Sequence, residues 1–306
     1  MSMSLNLIRS ELPGMTWPAI PNDVGARMLA LQFQFERSQW WPFEQLQSHQ
    51  LQQFQQIFRH AIATVPFYQQ RFVRRAALGV TSWQQYRELP ISLRSDVQQA
   101  GSAMHSVSVP PAHGTRVQTE SSGSAGTPLV TLGTAWTQLL WRTLLVRDHL
   151  WHGRDLRGKL AAIRSKTEEL HLNEWGAATA AFATGPSAVR SLSADLDEQI
   201  KWLEREDPDY LITFSTNAQA LAARSREMNI RLPRLKQVRT YGEMLRPDTR
   251  AVVREAWGVE IADSYSSEEL GYIALQCPES EQYHVQSESL IVEVLRADGA
   301  SCAPGE

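Results

Sequence analysis

Two short stretches carry residue types suited to binding an anion or a metal. The first is Ser121-Ser122-Gly123-Ser124-Ala125-Gly126-Thr127-Pro128. Its glycines permit positive φ and close approach of the backbone to a ligand. Its amides and hydroxyls can wrap an anion such as a triphosphate. A flexible Ser/Gly loop has the same composition. The second stretch is Asp263-Ser264-Tyr265-Ser266-Ser267-Glu268-Glu269-Leu270-Gly271-Tyr272-Ile273-Ala274. A carboxylate here could hold Mg2+ beside phosphate oxygens, and a tyrosine could stack on a flat base. The same residues also suit a helix N-terminus, with Ser267 as cap and Glu268 and Glu269 in the first turn.

Elimination narrows the first stretch. A P-loop needs a lysine after its last glycine, and none follows. The hydrolase elbow needs glycine two residues before the serine, where Ser122 stands. Neither a dinucleotide fingerprint nor an H-E-x-x-H or S-x-x-K pattern occurs. A nucleotide-phosphate loop of another kind remains.

These residues need elements to hold them. Residues 1–40 read as irregular, broken by Pro13, Pro18 and Pro21. Apolar positions at helical spacing predict a helix over roughly 44–63. Pro66 ends it, with Val65 extended. Further helices are expected over 69–77 and 82–88, and another after Ser95 as its cap. Residues 115–119 read as a strand, followed by the small-residue loop, a second strand, and a strong helix over 134–152. Strand-like and helix-like pieces then alternate: 158–164, 195–205, 209–214, 216–227, 235–240, 246–256 and 259–264. That order predicts an α/β fold of mainly parallel sheets wrapped by helices. The last portion reads as β-rich, with Asp298-Gly299 as a hairpin turn.

Composition sets outer bounds. The chain has 306 residues, 42% hydrophobic and 21% charged, with a net charge of -3. It can bury a core, so wholesale disorder is excluded. The charge argues against a general nucleic-acid binder. Two cysteines, Cys277 and Cys302, exclude a disulfide-rich scaffold and suit a reducing compartment. The apolar run near Leu139–Leu150 is interrupted by Arg142 and Arg147, too short to span a bilayer. These bounds lead us to expect a soluble cytoplasmic protein without nucleic-acid or membrane partners. A homodimer is among the states left open.

In this order, the motifs resemble those of the adenylate-forming superfamily, which holds acyl-CoA synthetases, peptide-synthetase adenylation domains and luciferases. The phenylacetate–CoA ligase branch is the nearest match. SSGSAGTP is similar to that family's phosphate loop. Tyr265-Ser266-Ser267-Glu268-Glu269-Leu270-Gly271-Tyr272-Ile273-Ala274 resembles its Y-G-x-[ST]-E-x-G-x-I-A motif. Tyr241-Gly242-Glu243 resembles the G-[AG]-E segment, and Asp209–Ser215 the strand bordering the acyl pocket. Val65-Pro66-Phe67-Tyr68 and Leu89-Pro90-Ile91-Ser92 also match this branch.

The resemblance implies a fold and an activity. The fold would be the incomplete large domain of an adenylate-forming enzyme. It would have an irregular segment 1–40 and a domain over 41–306, divided into a helical entry 41–114, a nucleotide-binding part 115–274 and a β-rich part 275–306. A small carboxylic acid, acyl or aryl, would be activated with ATP to an acyl-adenylate and passed to a thiol such as CoA. Ser121, Ser122, Gly123, Ser124, Ala125, Gly126 and Thr127 would cradle the β- and γ-phosphates. Gly242, Glu243, Ser264, Tyr265 and Ser266 would contact ATP or AMP, with Tyr265 on the adenine. Ser124 and Glu269 would act at the reacting phosphates. Glu269 would hold Mg2+, with Glu268 as the alternative register. Cys277, His284 and Cys302 supply three of the four ligands a structural zinc needs. Two ordinary cysteines and a strand histidine are the other reading.

Departures from the pattern also bear on function. Ser266 stands where the family has glycine, and Glu268 where it has Ser or Thr. The family's Gly-Asp pair and lysine-bearing C-terminal domain do not follow, and the four lysines are Lys159, Lys166, Lys201 and Lys236. A mobile cation is the expected partner of developing negative charge. The expectation is therefore a truncated, catalytically impaired fragment, or a non-catalytic nucleotide- or acyl-binding module.

Overall fold

The computed structural model describes residues 7–72, 79–120, 129–165, 167–303 and 305. In chain order the helices are α1 (Asp23–Ser38), α2 (Phe43–Thr64), α3 (Pro66–Arg71), α4 (Trp83–Arg87), α5 (Arg94–Ala100), α6 (Ala135–Trp151), α7 (Leu196–Glu206), α8 (Ser215–Glu227) and α9 (Pro247–Trp257). The strands are β1 (Arg116–Glu120), β2 (Val130–Thr134), β3 (Leu160–Arg164), β4 (Leu170–Leu172), β5 (Ser187–Ser191), β6 (Tyr210–Thr213), β7 (Gln237–Tyr241), β8 (Glu260–Ser267), β9 (Gly271–Gln276) and β10 (Tyr283–Val285). The chain divides into two units, Met1–Phe33 with Leu139–Val285, and Gln34–Gln138 with Gln286–Glu306.

The first unit is an α/β layer structure. Its eight-stranded sheet runs in the order β10-β9-β8-β7-β6-β3-β5-β4. Strands β5, β3, β6, β7 and β8 are parallel, while β4, β9 and β10 pair antiparallel at the two edges. One face packs Ala161, Ile163, Leu211, Val238 and Ile261 against Ile200, Trp202 and Leu203 of α7, Leu221 of α8 and Val253 of α9. The other packs Leu160, Ala162, Tyr210 and Ile212 against Met28 of α1, Leu139 and Val146 of α6, Trp175 and Phe182. Strand alternation produces both sets from single runs such as Tyr210-Leu211-Ile212. Each fully buried aliphatic contributes about 1.5–3 kcal/mol.

The second unit carries α2 to α5 and the antiparallel hairpin β1–β2. Phe58, Phe72 and Val80 form its core with Phe54, Tyr68 and Tyr86 around them. The predicted helix 44–63 is α2, with Gln45, Gln52, Gln53 and Gln56 exposed and Gln50 half-buried, donating to the Ser287 and Leu290 carbonyls. α3 starts at Pro66, ahead of the predicted 69–77. Proline is favoured there, because the first helical amide needs no partner. α5 starts at Arg94, and Asp96 Oδ2 accepts from the Leu93 amide at 3.0 Å, so Leu93 caps the helix, two residues before the expected Ser95.

Helix α1 corrects the expectation of an irregular 1–40. Its buried positions are Gly25, Met28, Gln32, Phe35 and Ser38. That stripe is helical in spacing but largely polar or small, so apolar periodicity does not reveal it. Gln32 is tied by donating to the Thr143 carbonyl at 2.6 Å. Gly25 is needed for contact: a Cβ there would lie 2.2 Å from the Ala180 carbonyl oxygen. Past β10, the described residues add one isolated bridge, Leu295↔Ser301, closed by a turn in which Gly299 has φ +85°.

Candidate active site

Ligands of open α/β sheets bind beyond the carboxyl ends of the strands, where the strand order reverses. Here the chain runs β3 to β5 on one side and then returns to β6 on the other. The carboxyl ends of β6, β7 and β8 therefore stand side by side, with Thr213 beside Thr240 and Thr240 beside Asp263.

These three ends carry the predicted Gly242, Glu243, Ser264, Tyr265 and Ser266. After β6 comes Phe214, whose ring centroid lies 4.8 Å from that of Tyr241. Gly242 follows β7 at φ +74°, and a Cβ there would sit 3.1 Å from the Phe214 ring. The positive φ favours glycine, and an added Cβ would press on the Phe214 ring. Glu243 accepts from the Thr216 amide at 2.9 Å and the Thr216 hydroxyl at 2.7 Å. Its carboxylate closes the first turn of α8, where negative charge is favourable. Burial pushes the Tyr241 phenol upward, opposed by the charges of Arg164 and Arg239.

The acidic stretch is a hairpin turn, not a helix N-terminus. Ser266 pairs with Tyr272 and Ser267 with Gly271, leaving Glu268, Glu269 and Leu270 as the connection. The Ser267 hydroxyl accepts from the Leu270 amide at 3.1 Å. A register shift between Tyr265 and Ser266 re-aims the strand just before the turn. Tyr265 is 60% exposed, free to offer its ring to a flat ligand. Ser264 is buried and donates to the Thr240 carbonyl at 3.1 Å, so its hydroxyl is used internally.

In the second unit, β1 and β2 pair from Arg116↔Thr134 to Glu120↔Val130. The residues joining them are the predicted phosphate loop. Ser121, Ser122, Gly123, Ser124, Ala125, Gly126 and Thr127 lie outside the described residues. Thr134 caps α6, its hydroxyl accepting from the Thr137 amide at 3.4 Å. A cavity of about 810 Å³ also lies in this unit, lined by Phe54, Tyr68, Tyr86, Glu293 and Leu295. It contains none of the predicted site residues. Burial and then the Glu293 carboxylate push the Tyr86 phenol up to about 12.

No family model matches the sequence, and a search of curated proteins returned no match. Solved structures do match. The chain resembles 2-hydroxyisobutyryl-CoA ligase in complex with 2-HIB-AMP and CoA in the thioesterification state, with a TM-score of 0.65 and 19% identity. The match covers 87% of this chain and 59% of that one. The same ligase in its postadenylation state with R3-HIB-AMP gives a TM-score of 0.64 at 18% identity, over 84% and 56% of the two chains. The fold is that of the adenylate-forming enzymes. The chain spans less than two thirds of the length of these ligase structures.

Against this adenylate-forming fold the remaining predicted residues can be located. Glu268 and Glu269 are exposed, and neither forms an ion pair among the described residues. Their hard oxygen donors fit Mg2+. Among the described residues no group of three or more His, Cys, Asp or Glu is gathered to hold a metal; Cys277 and His284 lie in the first unit and Cys302 in the second. His284 lies opposite Leu275 in β10 and packs edge-on to Trp151 at 5.6 Å. Cys302 belongs to the second unit, its amide bonded to the Val294 carbonyl. Lys159 and Lys236 precede β3 and β7 at the amino edge of the sheet, paired with Glu206 at 2.8 Å and Asp209 at 3.0 Å. No helix among the described residues is long and apolar enough to cross a membrane.

Sequence reasoning missed the polar group packed below this edge. Asp148 of α6 is fully buried and pairs with Arg154 and Arg239, both at 2.7 Å. Burial alone would raise its carboxyl, but the two guanidiniums override that and hold it far below the usual range. His149 and His152 flank it, pushed below 6.5 by burial first and then by the charge of Arg154. The available signal was Arg239 itself, a cation inside the buried run Val238-Arg239-Thr240.

Proposed function

We propose that this chain binds ATP and serves the activation of a carboxylic acid, acyl or aryl, as an acyl-adenylate, which a thiol such as CoA then accepts. One observation carries the reading. On a fold shared with a CoA ligase, Phe214, Tyr241-Gly242-Glu243 and the Ser264–Glu269 hairpin converge at the carboxyl edge of the sheet. Those segments resemble the family's adenine, acyl and metal-binding motifs, in the phenylacetate–CoA ligase form.

The chemistry assigns roles to these residues. The substrate carboxylate oxygen attacks the α-phosphorus, the bond to the β-phosphate oxygen breaks, and pyrophosphate leaves. A thiol then attacks the acyl carbonyl and AMP leaves. Two anions must meet in the first step, so their charge must be neutralised and their approach fixed. Ser121–Thr127 would donate amides and hydroxyls to the β- and γ-phosphates, Ser124 among them. Tyr265 would lie on the adenine, and the Gly242 backbone would pass close to it because no side chain intervenes. Glu269, or Glu268 in the other register, would hold Mg2+, whose charge offsets that of the phosphates.

Calorimetric titration of the chain with ATP, with and without Mg2+, tests this reading. Expected are saturable binding strengthened by Mg2+, at least tenfold weakening in Glu269→Gln, and loss in Gly126→Trp. Absence of nucleotide binding in the unaltered chain overturns it. If Glu268→Gln is weakened and Glu269→Gln is not, the metal-binding role passes to Glu268.

A further inference from the structure

Arg239 sits mid-strand on β7 beneath the hairpin turn, and none of the roles above uses it. Alternation sends Val238 and Thr240 to the face covered by α7, α8 and α9 and Arg239 to the opposite face. It is 6% exposed. Its Nε donates to Asp148 Oδ2 at 2.7 Å. Its Nη2 donates to the Tyr272 hydroxyl at 2.9 Å and reaches the Ser264 hydroxyl at 3.4 Å. The guanidinium carbon lies 5.4 Å from the Tyr272 ring centroid, and Trp141 meets that ring edge-on at 5.7 Å. One planar fork thus joins α6, β7, β8 and β9.

Such an arrangement costs stability. Buried ion pairs seldom repay their desolvation, and apolar side chains of the same volume commonly do better. The cost is visible here, because Asp148 Oδ1, His152 Nε2 and Arg154 Nη2 are buried without a hydrogen-bond partner. What the group supplies instead is a single geometry. Ser264 precedes the register shift and Tyr272 pairs with Ser266 beyond it, so Arg239 grips both arms of the hairpin whose tip is Glu268, Glu269 and Leu270.

We propose that Arg239, oriented by Asp148, is a positioning residue that fixes the β8–β9 turn through the hydroxyls of Tyr272 and Ser264 and so sets where Glu269 and Tyr265 meet the nucleotide. The clause about the nucleotide rests on the proposed function; the clause about the turn does not.

Amide hydrogen exchange of the full chain without nucleotide, followed by titration with MgATP, tests it. Tyr272→Phe removes one oxygen and keeps the ring that Trp141 packs on. The Leu270 amide and its turn neighbours are expected to exchange about tenfold faster, the loss of one charge-assisted hydrogen bond, with β3 and β6 unchanged. MgATP affinity falls by a similar factor. Arg239→Lys keeps a charge for Asp148 but loses the fork, so it gives the same local pattern more strongly. Ser264→Ala gives a smaller effect than Tyr272→Phe, because its contact is longer. Unchanged turn exchange in both Tyr272→Phe and Arg239→Lys overturns the proposal. So does acceleration spread evenly over the sheet, which is what a purely stabilising role produces. If the unaltered chain binds no MgATP, the proposed function and the nucleotide clause fail together, and turn exchange still decides the other clause.

Discussion

The two faces of the eight-stranded sheet are built on different principles. The face under α7, α8 and α9 packs an apolar block over β3, β6 and β7, with Ile163, Leu211, Val238, Ile200, Trp202 and Leu221 all fully buried, and keeps its buried polar groups apart, Thr240 bonded to Asp263 and Arg250 bonded to the Ile261 carbonyl. The face under α1 and α6 is apolar at β3 and β6 but holds Asp148, Arg154, Arg239, His149 and His152 toward β7 and β8. Apolar burial is non-directional and stabilises without dictating a unique geometry. Hydrogen-bonded charges contribute less net stability but constrain distance and angle. The charged part runs from Gln237 at the amino end of β7, where Arg154 bonds, through Arg239 to Tyr272, which follows the Glu268–Glu269 turn.

Substitutions on each face test this contrast. The largest effect is expected from Trp202→Ala, a loss of about 3–5 kcal/mol by urea denaturation, because a fully buried indole leaves a cavity. Asp148→Ala should cost about as much for the opposite reason, leaving two guanidiniums buried together without their counter-ion. A loss below about 1 kcal/mol for Asp148→Ala would show that the charged group is not coupled to folding, and the contrast would fail. Gly242→Ala comes next, at about 1–2 kcal/mol, since it adds both an unfavourable φ and contact with Phe214. Its nucleotide affinity should drop further than its stability.

The smallest effect separates the faces by pH. His149 and His152 are held neutral when folded, their values lowered from 6.5 by burial and then by Arg154. Below that value the unfolded chain takes up protons that the folded chain does not, so stability falls as pH falls from about 6.5. The urea midpoint should decline between about pH 7 and about pH 5.5. His152→Gln should flatten that slope, whereas Trp202→Ala should lower the whole curve and leave its slope unchanged. Asp148 adds a further loss only in strong acid, below its unfolded value of 3.8.

Much of the parallel sheet was legible because its strands are short apolar runs bounded by amphipathic helices. The predicted 209–214, 235–240 and 259–264 correspond to β6, β7 and β8. Other strands were not legible. β5 is Ser-Ala-Val-Arg-Ser and β4 is Leu-His-Leu, too short and too polar to show a period, and pairing with neighbours is what makes them strands. Glu243 shows the same limit at the site. Its identity was apparent beside Gly242, but its bonding to the start of α8 depends on β6 and β7 being adjacent.

The order of residues alone settled the α/β class, the two strands that flank Ser121–Pro128, and the glycine and acidic motifs that resemble an adenylate-forming enzyme. These follow from local spacing, which the chain carries along its own length. Tertiary structure alone decided that Asp148, Arg239, Ser264 and Tyr272 form one bonded group. They come from separate elements, and only the lateral order of β7, β8 and β9 beneath α6 brings their polar atoms within hydrogen-bonding reach.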